Sequence, residues 1–174
     1  MDTWTEPCKQ MHFGPWLVEP LWFQQAVAAL KAGILKPTAA ASPAPTADSG
    51  ERRGYALDRS GVAVFNLSGP MMKGASKYGG VSTVATRRAV RAAETDPEVK
   101  AIMLVIDSPG GTVAGTDELV EDVRRANEVK PVFVHVDDLA ASAAYWVASA
   151  ATRITASRTS MIGSIGTLLV VEDS

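Results

Sequence analysis

Residues 131–146, PVFVHVDDLAASAAYW, run from an apolar segment through two aspartates into a series of small residues. Residues 131–136 are typical of a strand buried in a sheet, and the alanine-rich stretch from Ser142 to about Ala151 is typical of a helix. The serine therefore lies where a strand gives way to a helix. A helix N-terminus has unpaired backbone N–H groups and partial positive charge, which favour an oxyanion formed beside a hydroxyl nucleophile.

A second motif, Asp107-Ser108-Pro109-Gly110-Gly111, follows the continuous apolar run Ala101–Ile106, which predicts another buried strand. In open α/β sheets, sites form at the carboxyl ends of strands. The two glycines allow the backbone to turn so that an N–H faces outward and binds a developing oxyanion. The N–H of Ala143 is the natural second donor. A tight turn is the alternative interpretation of this motif, and a helix-capping serine is the alternative for Ser142.

Strand and helix patterns alternate from about Tyr55 onward, which predicts an α/β domain with right-handed crossovers. The predicted strands are Tyr55–Leu57, Val62–Leu67, Ala101–Ile106, Pro131–Val136, Ile154–Ala156 and one or two within Met161–Val171. The predicted helices are Val81–Glu94, Val113–Val129 and Ser142 to about Ala151. The first of these helices is expected to bury Val81, Val84, Ala85, Ala89 and Ala92.

Residues 1–36 are predicted to form an N-terminal arm in which prolines make residues 1–20 irregular and Leu21 to about Gly33 forms a short helix. The apolar side of this helix is expected to combine Leu21, Ala28 and Leu30 with Trp22, Phe23 or Val27. We interpret it as a helix that covers apolar surface, with a partner-binding helix as the alternative because the arm is rich in tryptophan.

Residues 37–53 contain almost nothing large to bury and are rich in Pro, Ala, Ser and Thr, which predicts a disordered linker. Residues 54–174 are the predicted folded domain. The apolar runs are strand-sized, far below the roughly 20 residues of a membrane span, and the first residues do not resemble a secretory signal. We therefore expect no membrane span and a cytoplasmic location.

Seventeen basic and nineteen acidic residues give a formal charge of −2, which offers no basic surface for nucleic acid. The single cysteine, Cys8, is interpreted as an exposed thiol. His135 lies in mid-strand, a place more typical of a packed or rim residue than of a catalytic base, and His12 lies in the arm. No His/Cys cluster or phosphate loop is present, so neither a metal nor a cofactor is predicted.

Three motifs in this order resemble the signal peptide peptidase A family of serine peptidases: SPGG at 108–111, AASAAY at 140–145 and MIGSIG at 161–166. The resemblance runs from about Gly61 to Val171. It is greatest to the branch of phage head-maturation (capsid assembly) proteases, because LVEP at 17–20 followed by a helix is similar to the arm of that branch.

The resemblance implies a Ser–Lys dyad on a crotonase/Clp-protease-like α/β fold of repeated strand–helix units. Ser142 matches the nucleophile, and Ser164 matches the serine that orients the catalytic lysine. The oxyanion hole is expected to use Gly110 or Gly111 together with Ala143. Residues expected to contact the substrate are Ser108, Pro109, Ala141 and Gly163.

The catalytic lysine of the family follows the nucleophile by roughly 50 residues, and here that position lies beyond Ser174. Since no lysine follows Lys130, we expect a C-terminally incomplete chain that is inactive by itself. The resemblance further implies protein or peptide substrates, among them capsid, scaffold or portal proteins, and a homo-oligomer in the bacterial cytoplasm or the phage prohead.

Several alternatives remain open from the sequence. One is a catalytically inactive remnant, or an assembly partner that docks on capsid or portal proteins. The proteolytic subunit of the Clp machine shares the SPGG turn but needs a histidine after its serine, and none follows Ser142. Acyl-CoA hydratases and isomerases of the same fold use glycine oxyanion donors without a serine at the helix start.

Overall fold

In the computed structural model the described residues are 14–33, 53–76 and 79–170, and they form two sheets and four helices. The strands are β1 (Gly14–Val18), β2 (Ala56–Leu57), β3 (Val62–Ser68), β4 (Met71–Met72), β5 (Val81–Ser82), β6 (Ala101–Ser108), β7 (Gly110–Thr112), β8 (Val132–Ala141), β9 (Arg153–Ala156), β10 (Met161–Gly163) and β11 (Leu168–Val170). The helices are α1 (Pro20–Lys31), α2 (Thr83–Thr95), α3 (Thr116–Val129) and α4 (Ala143–Ala148).

The larger sheet is built around three parallel strands, with β6 between β3 and β8. Ile102, Leu104 and Ile106 of β6 are almost completely buried, as the continuous apolar run predicts. β9 and β10 pair in parallel with successive parts of β8, and β2 pairs antiparallel with β3. Ser108 pairs with Ala140 at the carboxyl ends of β6 and β8, so the glycine motif and Ser142 meet at one edge.

The smaller sheet has the strand order β11–β1–β7–β4–β5. Its strand β1 is antiparallel to both neighbours, β7 and β11. The prediction that residues 1–20 are irregular is therefore wrong at Gly14–Val18. This strand is stabilised by partners about a hundred residues away or more, and the local pattern of prolines gives no sign of such partners.

Helix α1 covers apolar surface, as the sequence predicts. The Glu19 side chain accepts hydrogen bonds from the backbone N–H groups of Leu21 and Trp22 and so caps the helix. Phe23 is buried in a small cluster with Val18, against which Met72 packs. The expectations for Leu21 and Ala28 are wrong, since Leu21 is 60% exposed and Ala28 is exposed as well.

Three helix predictions need correction. α2 starts later because Val81 and Ser82 form β5 and the Ser82 side chain caps the helix through Ala85 N. Its buried residues are Thr83, Ala89, Val90 and Ala93, whereas Ala85 and Ala92 are exposed and Val84 is half-buried. The packing of α2 against α3 decides this rotation. α4 ends at Ala148 because tight i→i−3 hydrogen bonds of Ala150 and Ala151 close it.

One more helix prediction and one strand prediction also need revision. The smaller sheet includes residues 110–112, so α3 starts at Thr116 and not at Val113. β8 continues to Ala141, five residues beyond the predicted end at Val136.

Residues 37–52 of the predicted linker lie outside the described residues, and the division into arm, linker and domain stays a prediction.

A buried carboxylate joins α2 to α3. Asp122 is 2% exposed, and its carboxylate accepts hydrogen bonds from Arg87 Nε at 2.7 Å and Arg91 Nε at 2.9 Å. Arg125, on the same helix as Asp122, places its Nη1 3.4 Å from Asp122 Oδ1. Because Asp122 is enclosed, its charge depends on these guanidinium groups for compensation.

We expect Asp122→Ala to lower the free energy of unfolding by about 2 kcal/mol, because it removes the shared partner of two arginines. Urea denaturation measures this change. Glu121→Ala is the matched control, since Glu121 is exposed and its ion pair among the described residues is with Arg124 across the helix surface. That control should change stability by less than about 0.5 kcal/mol. Equal stability of the two variants would contradict the prediction.

Candidate active site

Ser142 forms the corner between β8 and α4, with backbone φ 53° and ψ −112°. L-residues rarely adopt this region because Cβ crowds the backbone. The corner is held by Ser142 N, which donates to Gly163 O at 2.9 Å, and by Trp146 N, which donates to Ser142 O at 2.9 Å. The Ser142 side chain makes no capping hydrogen bond. Ser142 therefore occupies the N-cap position of α4, as the alternative predicts, but does not cap the helix through its side chain.

The backbone at Ser142 is expected to be strained, and Ser142→Gly tests this. Both Ser142→Gly and Ser142→Ala remove the hydroxyl, so the difference in their stability reports the cost of the backbone conformation alone. We expect the glycine variant to be more stable than the alanine variant by about 1 kcal/mol in urea denaturation. Ser149 has an ordinary φ of −65°, so Ser149→Gly should be less stable than Ser149→Ala. If Ser142→Ala is as stable as Ser142→Gly or more stable, the backbone at Ser142 is not strained.

Gly110 and Ala143 lie side by side next to Ser142. A Cβ placed on Gly110 would lie 3.0 Å from Ala143 N and 2.8 Å from Ala141 O. Gly110 has φ 93°, which favours glycine. The N–H of Ala143 opens α4 and has no acceptor inside the helix. The N–H of Ala143 is thus a backbone donor where an oxyanion on a Ser142 adduct would form, while the neighbouring N–H of Gly110 donates to Ser108 Oγ at 3.2 Å.

The remaining predicted residues of the glycine turn are enclosed. Ser108 is buried, and its Oγ donates to Gly69 O at 2.7 Å and accepts from Gly110 N at 3.2 Å. The carbonyl of buried Pro109 accepts from Glu19 N at 2.7 Å. Gly111 lies between β1 and β4, paired with Leu17 and Met71. Gly110 is accordingly the glycine adjacent to Ser142. Ser108 holds the turn through its hydrogen bonds with Gly69 O and Gly110 N.

The segment 163–166 lies over the serine. Ser142 Oγ donates a hydrogen bond to Gly166 O at 3.0 Å. Gly163 pairs with Ala141 across β10 and β8. Ser164 is exposed and has φ 50°, the other non-glycine residue with positive φ among the described residues. The structure thus brings both serines and Gly163 to the same edge.

A pocket of about 260 Å³ opens beside Ser142. Its lining residues are Leu17, Ser142, Tyr145, Trp146, Ser149, Ile165 and Gly166. Four of them, Ser142, Tyr145, Trp146 and Ser149, are three or four residues apart in the sequence. This spacing places them on one helix face. That spacing could have identified Tyr145 and Trp146 from the sequence. Nothing local could have identified Leu17.

His135, which was considered as a base, lies away from Ser142, and His12 lies outside the described residues. His135 Nδ1 lies 3.1 Å from Thr155 Oγ1, and His135 precedes Ser142 by seven strand residues, roughly 20 Å along β8. Lys130 Nζ donates to the carbonyls of Ala93 and Asp96. Within the described ranges, no cluster of His, Cys, Asp and Glu could hold a metal ion. None of the helices in those ranges is long and apolar enough to cross a membrane.

Asp107 lies at the same edge, and burial together with the carboxylates of Asp138 and Asp137 raises its pKa. An aspartate whose pKa is raised in the folded state contributes stability at pH values below its ordinary pKa. That contribution is lost as the pH rises through the pKa of the folded state. We therefore expect Asp107→Asn to raise Tm at about pH 7 and to leave it unchanged at about pH 3. Asp138→Asn should give a smaller gain of the same sign. A lower Tm of Asp107→Asn at neutral pH would contradict this prediction.

Comparison with known proteins places these features in a family context. Residues 124–172 match Peptidase family S49. Protease 4 of Salmonella typhi is 37% identical over 111 residues, covering 63% of this chain and 18% of that protein. Capsid assembly protease C of Escherichia phage lambda is 32% identical over 133 residues, covering 70% of this chain and 29% of that protein. The chain thus spans less than a third of either relative.

A solved structure of an enoyl-CoA hydratase/isomerase family member matches the fold. Its TM-score is 0.52 at 16% sequence identity, and the match covers 63% of this chain and 48% of that chain. The predicted crotonase-like α/β fold is therefore confirmed. At this identity the match concerns the fold alone.

Proposed function

The chain carries a peptidase family S49 region, and we propose that Ser142 is the nucleophile of a serine endopeptidase. The observation that carries the proposal is the strained corner at Ser142, beside which the backbone N–H of Ala143 and the glycine Gly110 lie together. Strained backbone at a strand–helix turn is a known feature of nucleophiles, and here it places Ser142, which is 4% exposed, at the wall of the pocket. The relatives named as proteases agree with this proposal.

In the proposed reaction, Ser142 Oγ attacks the carbonyl carbon of the scissile peptide bond and loses its proton to a base. The carbonyl oxygen becomes an oxyanion that accepts a hydrogen bond from Ala143 N, and from Gly110 N when that N–H exchanges its bond to Ser108 Oγ for the oxyanion. The C–N bond then breaks, and the base returns the proton to the leaving amine. Water next attacks the Ser142 ester, which releases the acid and restores the hydroxyl.

We propose a lysine as this base, located outside the described residues. Among the described residues, the hydrogen-bond partner of Ser142 Oγ is Gly166 O, a carbonyl that cannot take a proton. A lysine serves as a base when an apolar surrounding lowers its pKa, and the pocket beside Ser142 is lined by the buried Leu17 and the aromatic ring of Trp146. Ser164, exposed next to Gly163, is proposed to orient this lysine.

The substrates are proposed to be capsid, scaffold or portal proteins processed during phage head maturation, inside the bacterial cytoplasm or the prohead. The support is the similarity to a phage protein named as a capsid assembly protease. A homo-oligomer is proposed as the working form. An assembly partner without catalysis is the second candidate, favoured by the engaged Ser142 hydroxyl.

The experiment is labelling with a fluorophosphonate probe, whose adduct places a P=O oxygen in the oxyanion hole. At about pH 9 hydroxide can substitute for a missing base. We expect mass spectrometry to find Ser142 modified at least about tenfold faster than Ser149 on the same pocket wall. Labelling should disappear in Ser142→Ala and persist in Ser149→Ala. Labelling of Ser142 no faster than that of Ser149 would refute catalysis and favour the assembly partner.

A further inference from the structure

The strand β1 lies in a slot between two backbone edges that flank the site. On one side β7 carries Gly110 and Gly111, and on the other side β11 follows Gly166, whose carbonyl contacts Ser142 Oγ. β1 is antiparallel to both strands. Extended peptides commonly bind proteins by adding a strand to such edges, through main-chain hydrogen bonds. A segment of this chain thus adopts the arrangement of a bound peptide.

Leu17 sets the position of β1 relative to the serine. It is 9% exposed and lines the apolar pocket beside Ser142, together with Trp146 and Ile165. Its carbonyl also lies against the oxyanion region, because a Cβ on Gly110 would be 2.1 Å from Leu17 O and 3.0 Å from Ala143 N. One residue of β1 therefore meets both the pocket and the backbone donors, as the residue preceding a scissile bond would.

The residues that follow Leu17 anchor the carboxyl end of β1. Val18 packs with Phe23 of α1, and Glu19 N donates to Pro109 O at 2.7 Å. Val18 and Leu17 thus face opposite sides of the strand, as successive strand residues do. If β1 leaves the slot, α1 can remain docked through Phe23 and act as its tether.

We propose that β1 occupies the substrate-binding cleft of its own chain, and that a substrate peptide enters only when residues 14–18 have left. The ligand class is an extended peptide antiparallel to β7 that places a leucine-sized apolar side chain in the pocket. This inference rests on the proposed function of Ser142 and adds the regulation of that site. The tethered strand competes at a millimolar effective concentration, so free peptides bind the unaltered chain poorly.

The test uses a fluorescein-labelled peptide with the sequence of residues 14–19, GPWLVE, and a second peptide with aspartate in place of leucine. Fluorescence anisotropy measures the binding of each to the unaltered chain and to Leu17→Asp. A charge at residue 17 expels β1 from the apolar pocket. We expect the leucine peptide to bind Leu17→Asp at least about tenfold more tightly than the unaltered chain, and the aspartate peptide to bind neither.

Leu21→Asp is the matched control, since Leu21 lies four residues away and is 60% exposed on α1. It should bind the leucine peptide as poorly as the unaltered chain does. The proposal is overturned if a folded Leu17→Asp shows no gain in affinity, or if it binds both peptides equally. In either case β1 is a permanent strand of the smaller sheet.

If Leu17→Asp does not fold, hydrogen exchange on the unaltered chain decides. At about 1 mM leucine peptide the β1 amides should exchange faster than at the same concentration of aspartate peptide, with β3 amides as reference. Equal exchange with the two peptides overturns the proposal. Peptide binding needs no chemistry at Ser142. Adding Ser142→Ala to the Leu17→Asp chain should therefore leave its tighter binding of the leucine peptide unchanged. Failure of the catalytic proposal is thus separable from failure of this one.

Discussion

Ser142→Ala is expected to lower kcat/KM for peptide cleavage by about 10,000-fold or more, in any preparation of the protein that cleaves a peptide. The substitution removes the atom that forms the ester with the substrate. The backbone donors at Gly110 and Ala143 remain, so a small residual rate from oxyanion stabilisation should persist. Cleavage of a fluorogenic peptide with leucine before the scissile bond measures the loss.

Two controls accompany this prediction. Ser149→Ala alters another hydroxyl of the same pocket, which in the folded chain donates to Trp146 O at 2.7 Å. It should change kcat/KM by less than about threefold, because this hydroxyl touches no reacting atom. Circular dichroism should show Ser142→Ala folded. If folded Ser142→Ala keeps most of the activity, Ser142 is not the nucleophile.

Gly111→Ala is expected to cause the largest loss of stability, more than about 3 kcal/mol. A Cβ at this residue would lie 1.7 Å from Met71 O, 2.5 Å from Met71 C and 2.7 Å from Met71 N. All three atoms belong to the backbone of buried β4, so no side chain can turn away to relieve the contact. β7 would have to separate from β4 or the chain would have to unfold.

Gly74→Ala is the matched control for this prediction, since a Cβ there would meet no atom within 4 Å. Its stability should equal or slightly exceed that of the unaltered chain. Urea denaturation of the two variants gives the comparison. Similar unfolding midpoints for Gly111→Ala and Gly74→Ala would mean that β4 and β7 can separate at little cost.

The strain at Ser142 and the strand β1 bear on the same question of how the site is controlled. A hydroxyl bonded to Gly166 O and a cleft filled by residues 14–18 both describe a site that is not ready for substrate. A productive site needs β1 displaced and the Ser142 proton passed to a base. Both changes concern the edge of β7, where Gly110 lies beside Ala143.

The sequence by itself determined the parallel strands and the edge at which the site lies. β3, β6 and β8 are runs of residues whose burial follows from their own side chains, and a buried parallel strand requires a nearly continuous apolar run. Ser142 and the glycine turn follow the ends of β8 and β6, and parallel strands end at one edge. Local pattern and this rule were sufficient to bring the two motifs together.

Only the tertiary structure decided the smaller sheet and the pocket. β1, β4, β5 and β7 are short and carry no clear alternation, and the pairings of β7 with β1 and β4 join distant parts of the chain. The φ of Ser142, the buried face of α2 and the place of Leu17 in the pocket also depend on packing between distant segments. Side-chain periodicity reports which residues avoid water, but it carries no information about which distant backbone they meet.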